Sequence, residues 1–350
     1  METALAYQKT CHCSRPEEGI REKGNLPFLH SCKVQTRSFQ FRLFFTPHFT
    51  KFSEYMPTAT QPAMIKHLGI VGAGTTGAGI AQLAALAGID VALYDINDTV
   101  LRQALERLKR SLNKAVEMGE LSAELSTEAF TRIHPRTRLA DLNHSEIVIE
   151  AVIEDLRIKK DLFKHLEAGT KPTTILASST SSYSITAIAS LTQRQDKVVG
   201  LHFLYPVESV KVVEIVQTEQ TAQETLRRCR EFLNQIGKNA VTVADTSGFI
   251  INRLVHPFHN EALQILGEHI ADAEQIDRIM KAEGGFAHGP FESLDILGLD
   301  ASLNTTKALF DATSGDSRFR PHPIQKHMVE SGQLGQKSGR GFYTYEQEKK

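Results

Sequence analysis

The chain has 350 residues, with 40 basic against 41 acidic side chains and a net charge of −1. That balance argues against a nucleic-acid partner or a charged membrane surface, and no apolar run approaches the roughly 18–20 residues needed to span a bilayer. The length is enough to bury a sizeable core and to divide into two domains.

Residues 1–63 differ from the rest. They carry scattered Pro, Ser, Thr and Gly with no sustained hydrophobic period. They read as a disordered extension outside the fold, of the kind an upstream start codon produces. The basic, acid-poor piece from Lys33 to Phe45 leaves a mitochondrial targeting peptide open, although Glu17, Glu18 and Glu22 weigh against it. Cys11-His12-Cys13 has no second ligand pair at suitable spacing, so no metal is expected. Cys32 also lies in this segment, leaving Cys229 alone in the body. A body without a disulfide framework fits a reducing, cytoplasmic setting.

From Leu68 the pattern sharpens. A short apolar run to Val71 reads as a buried strand, and Gly72, Gly74 and Gly77 then form G-x-G-x-x-G. The glycines serve a tight turn, close backbone approach to a pyrophosphate and helix-on-strand packing. Thr75 and Thr76 fill the turn, and a helix-forming run from Ile80 presents its N-terminus to the phosphate. A second strand, 90–95, ends at Asp95, where such a unit places the acid for the adenosine ribose hydroxyls. No arginine follows closely for a 2′-phosphate, so NAD is expected over NADP.

Residues 98–132 read as a helical hairpin. Its first helix has an apolar stripe of Leu101, Leu105, Leu108, Leu112 and Val116, capped at Asn97 or Asp98. Arg102, Arg107, Lys109, Arg110 and Lys114 occupy the other faces. They read either as a solvated face or as a grip on a phosphorylated substrate. Strands follow at 146–152, 174–177, 197–202, 211–216 and 239–244, with helices at 156–168 and 220–236 between them. This alternation predicts an α/β, Rossmann-type, doubly wound and mostly parallel sheet over 64–245. An all-helical C-terminal domain is expected over 246–350. Its first helix is apolar nearly all round and is therefore expected to be buried. Pro257 is expected to kink it.

In a doubly wound sheet, ligands bind beyond the carboxyl ends of the strands. His202 falls at such an end, and Glu214 lies in the next strand. A carboxylate on one imidazole nitrogen fixes the tautomer and leaves the other nitrogen as a base. Ser178-Ser-Thr-Ser-Ser182 ends an earlier strand, and Asn252 opens the C-terminal helices. Beside NAD, these groups suit oxidation of a secondary alcohol, although a lone histidine at a strand end also serves structure alone.

With these residues in place, the chain from about 64 to 350 resembles the 3-hydroxyacyl-CoA dehydrogenase family. The matching stretches include Gly69–Ala81, Ile149–Asp155, Ser178–Ser182, Gly200–Phe203, Val212–Glu214, Gly248–Arg253, Gly289–Glu292 and Lys337–Tyr343. The resemblance implies oxidation of a short-chain L-3-hydroxyacyl-CoA, with homodimerisation through the C-terminal domain. It implies His202 as general base, Glu214 as its partner, and Ser181 and Asn252 as substrate-orienting groups. Glu154, Lys159 and Lys337 match cofactor-side positions. Ser111 matches a CoA contact, and Lys114 stands in for a family lysine that aligns with Met118. Four positions depart from the family pattern: Thr76, Ser179, Tyr205 and His288. They imply an altered acyl pocket or weakened catalysis. Two rival readings follow: a related dehydrogenase of CoA-free polar substrates of the carnitine or gulonate type, and a dinucleotide-binding protein with impaired catalysis.

Overall fold

The computed structural model describes residues 64–345, so the expectations for residues 1–63 lie outside the described residues. In chain order the elements begin β1 (His67–Val71), α1 (Thr75–Leu86), β2 (Asp90–Tyr94), α2 (Asp98–Glu117), α3 (Ala123–Thr131), β3 (Ile133–Arg136) and β4 (Ile147–Glu150). They continue α4 (Leu156–Gly169), β5 (Ile175–Ser178), α5 (Ile185–Ala189), β6 (Val198–Phe203), β7 (Val212–Gln217), α6 (Gln223–Gln235) and β8 (Asn239–Ala244). From there the chain is helical: α7 (Ile251–Gly267), α8 (Ala273–Ala282), α9 (Pro290–Leu297), α10 (Leu299–Ala312) and α11 (Pro323–Glu330).

The sheet order is β3-β2-β1-β4-β5-β6-β7-β8. All neighbours are parallel except β6 and β7, so β7 and β8 run against the other six strands. The order reverses beside β1, which puts a topological switch point between β1 and β4. Strand alternation feeds two cores. Leu68, Ile70, Ile147 and Ile149 pack toward α1 and α6, while Val71, Val148 and Leu176 meet Phe163 and Leu166 of α4.

Three local features differ from the sequence expectation. β3 is a four-residue edge strand beyond β2. α5 is likewise additional. The third is α7, which is not buried on all sides: Leu263 is fully buried, yet Leu254 is 65% exposed, and Ile250 just before the helix is 46% exposed. The cap alternative resolves to Asn97, whose side chain accepts from the N–H groups of Thr99 and Val100.

α7 also buries His256 and His259. His256 Nδ1 lies 2.8 Å from Thr306 Oγ1, and His259 Nδ1 has no partner among the described residues. Burial pushes the two imidazoles down to about 4 and about 3. A histidine in the unfolded chain protonates near pH 6.5, so the unfolded state binds more protons below that value. Stability from these groups is therefore full above about pH 6.5 and is lost as pH falls toward 4. Denaturant titration of wild type and His259→Phe at pH 7 and pH 4 checks this. The stability of wild type relative to the variant should fall by on the order of 2–3 kcal/mol over that interval; an unchanged difference contradicts a neutral buried His259.

Candidate active site

The carboxyl edge of the sheet collects the expected groups in strand order. The glycine turn follows β1, Glu150 and Glu154 sit at or beyond the end of β4, Ser178–Ser182 follows β5, and His202 lies near the end of β6. Three strand spacings separate β1 from β6, roughly 14 Å at about 4.8 Å each.

In the turn, Gly72 has φ +106°, and a Cβ there would stand 2.4 Å from the Ala151 carbonyl oxygen. A Cβ on Gly77 would stand 1.9 Å from the Gly72 carbonyl oxygen, so this glycine is required for helix-on-strand contact. Gly74 is different, because a Cβ there meets nothing within 4 Å. Gly74 is the N-cap of α1, no side chain caps that helix, and its first turn holds no acid. Open space in front of uncapped N–H groups is what a pyrophosphate requires, so these residues fit NAD. Asp95 Oδ2 accepts from Ala73 N (2.9 Å) and Oδ1 from Asn97 N (2.9 Å), which holds the carboxylate beside the turn.

Glu150, absent from the sequence-based candidates, is fully buried at the end of β4. It accepts from Lys159 Nζ (2.7 Å) and from the Ser178 hydroxyl (2.6 Å). Lys159 is only 1% exposed, and its ammonium also lies 3.1 Å from Glu154 Oε2. It therefore presents no open face to a ligand and orients Glu154 instead. Glu154 in turn accepts from the hydroxyls of Thr180 (2.5 Å) and Ser182 (2.7 Å). Burial raises the Glu154 pKa, but the Lys159 charge and the two hydroxyls outweigh it and hold the carboxyl below its ordinary range.

The antiparallel register of β6 and β7 sets His202 directly opposite Glu214. His202 Nδ1 is 2.6 Å from Glu214 Oε2, and the two residues are 5% and 3% exposed. Glu214 Oε1 accepts from Ile250 N (2.8 Å) and Ile251 N (3.1 Å), so the same carboxylate caps α7. Burial alone raises the Glu214 pKa; the His202 bond and charge, with the two N–H groups, bring it below the ordinary carboxylate value. An ionised carboxylate only accepts, so Nδ1 carries a proton, and in the neutral imidazole Nε2 then holds the lone pair.

The backbone is bent to make this contact. Gly248 (φ +79°) and Phe249 (φ +51°) are both left-handed, a costly state for phenylalanine. The reversal turns the N–H groups of Ile250 and Ile251 onto Glu214 and lays the Phe249 ring 5.4 Å from the His202 ring. Asn252 Nδ2 donates to the Ser181 carbonyl (2.9 Å). Asp245 accepts from the Ser184 hydroxyl and from the N–H groups of Ile185 and Thr186, so the serine loop is held from both sides.

One further residue escaped sequence reasoning, and another meets a partner that the sequence did not indicate. Lys238, 4% exposed, donates to the carbonyls of Val207 (2.6 Å), Glu208 (3.1 Å) and Val210 (2.7 Å), clamping the β6–β7 loop. Arg107, read as part of a solvated face or phosphate grip, donates from Nη2 to the Ala73 carbonyl (3.1 Å). Other expected groups are not gathered at the pair. Ser111 and Lys114 are exposed on α2. Lys337 is held by Asp300, and His288 lies 3.8 Å from Glu292 ahead of α9. Of the departures, Thr76, Ser179 and Tyr205 lie along the carboxyl edge, in the segments that follow β1, β5 and β6.

Residues 67–246 match the family model described as 3-hydroxyacyl-CoA dehydrogenase, NAD binding domain, and residues 248–345 match its C-terminal domain. A Bacillus subtilis protein named "Probable 3-hydroxybutyryl-CoA dehydrogenase" is 40% identical over 283 residues, 81% of this chain and 98% of that protein. The mitochondrial hydroxyacyl-coenzyme A dehydrogenase of Sus scrofa is 39% identical over 293 residues, 82% of this chain and 93% of that protein. Among solved structures, the (S)-3-hydroxybutyryl-CoA dehydrogenase of Ralstonia eutropha superposes with TM-score 0.75 at 36% identity, covering 81% of this chain and all of that one.

Proposed function

The chain belongs to the 3-hydroxyacyl-CoA dehydrogenase family and is an NAD-dependent oxidoreductase, and on that premise we propose that it converts short-chain L-3-hydroxyacyl-CoA to 3-oxoacyl-CoA. The observation that carries the reading is the buried His202–Glu214 pair on the same sheet edge as the glycine turn. Relatives named as 3-hydroxybutyryl-CoA dehydrogenases support a short acyl chain.

NAD, when bound, supplies the hydride acceptor. The glycine turn, with Gly72, Gly74, Thr75 and Thr76, would hold its pyrophosphate while Gly77 keeps α1 close to β1; Asp95 would hold the adenosine ribose, and Glu154, oriented by Lys159, the nicotinamide half. Nε2 of His202 removes the 3-hydroxyl proton as the C3 hydride leaves. Glu214 stays ionised and stabilises the imidazolium. Ser181 and Asn252 orient the substrate oxygen. Ser111 and Lys114 form the CoA handle on the hairpin. Lys337, which pairs with Asp300, is assigned to the cofactor side on family resemblance alone.

The working unit in this reading is a cytoplasmic homodimer, with 64–245 binding NAD and 246–350 serving substrate and dimerisation. The exposed Leu254 of α7 and Ile250 just before that helix support a covered face there. Among the described residues no helix is long and apolar enough to cross a membrane.

Loss of NADH absorbance with acetoacetyl-CoA tests the proposal. Turnover is expected. Turnover only with a CoA-free 3-keto acid moves the substrate to the carnitine or gulonate type. NADH binding without turnover on either removes the catalytic assignment of the pair.

A further inference from the structure

We infer that Arg107 is a cofactor-binding residue whose guanidinium holds the phosphates of the dinucleotide at the lip of the glycine turn. It sits in α2, one helical turn before Ser111, so from sequence it belongs with the CoA handle. The fold instead ties it to the cofactor turn, through the bond from Nη2 to the Ala73 carbonyl. Asp95 holds the N–H of the same residue, so Ala73 is gripped at both ends of its backbone.

The charge is the telling part. Arg102, earlier on the helix, is paired with Asp98 at 3.2 Å, as a solvated helix face requires. Arg107 has Gln103 and Ser111 four residues away and Ala104 and Arg110 three away, and it takes part in no ion pair among the described residues. Its fixed contact is a neutral carbonyl. A guanidinium has five N–H donors, so a single anchoring bond leaves the rest of the fork for another acceptor. The groups beside it are uncapped N–H groups at an α1 terminus without acids, and the open space before Gly74. A guanidinium without an ion pair among the described residues, bonded to the residue just before a helix N-terminus, favours a diphosphate anion there.

Phosphates reach this region from two adenine nucleotides, NAD and CoA, and the tether to Ala73 favours NAD. The inference rests on cofactor use and not on the acyl substrate, so NADH binding is measured without substrate. Fluorescence titration of NADH is compared for wild type, Arg107→Gln and Arg107→Lys, with melting curves alongside. Arg107→Gln should raise the NADH Kd about tenfold, the worth of one charge-assisted bond to phosphate, and flatten its dependence on salt. Arg107→Lys should retain part of the affinity. The KM for acetoacetyl-CoA at saturating NADH should stay within about twofold of wild type. An unchanged NADH Kd in Arg107→Gln overturns the inference, and a raised acetoacetyl-CoA KM beside it reassigns Arg107 to CoA. If Arg107→Gln melts early, Arg107→Lys decides, because equal affinity loss in both variants marks the contact as structural only.

Discussion

Replacing His202 with alanine should lower kcat by roughly two to four orders of magnitude while NADH affinity stays nearly unchanged. The imidazole is buried against Phe249, and Glu214 occupies Nδ1, so Nε2 is the nitrogen left to take a proton. Removing the ring removes the base without touching the glycine turn, three strands away in the sheet. The partner is a less clean target. Glu214 also accepts from the N–H groups of Ile250 and Ile251, so its loss unseats the start of α7 as well as the imidazole. Steady-state kinetics with an NADH titration check the prediction. A variant of near-normal rate takes His202 out of the mechanism.

The second large effect is on binding. Gly74→Val should weaken NADH binding at least about 100-fold, because the new side chain stands where the pyrophosphate must approach, leaving the phosphate without its backbone donors. The fold should survive, since a Cβ at Gly74 meets nothing and its φ of −67° is open to any L residue. Gly77 makes the contrast: a Cβ there overlaps the Gly72 carbonyl and attacks the packing itself. Circular dichroism and a melting curve separate the two causes. A folded Gly74→Val protein with wild-type NADH affinity contradicts the site.

Most of the scaffold was legible because its signals are local. The glycine turn, Asp95 and the alternation of apolar strands with amphipathic helices each declare themselves within a few residues. The His202–Glu214 pair was legible from spacing only as one option, since adjacent strands joined by a short turn can bring such residues together, and its roles came from the family resemblance. β3 was not legible. It has four residues, includes Pro135, and pairs on one side only, so it carries no alternation to read. Arg107 and Glu150 show a second limit. Periodicity gives the face of a helix or strand on which a side chain stands, but not which distant segment comes to meet it. Lys238 shows the same limit, because its partners are backbone carbonyls that no sequence motif encodes. α7 shows a third: an all-round apolar helix signals burial without naming what covers each face, and this chain alone leaves Leu254 open.

The central claim is that the His202 imidazole, locked by Glu214, faces the substrate's reacting oxygen. A crystal structure with NAD and acetoacetyl-CoA bound measures this directly. The account predicts Nε2 of His202 at about 3 Å from the 3-oxo oxygen. A substrate oxygen bound by another side chain, with His202 outside hydrogen-bonding reach, contradicts it.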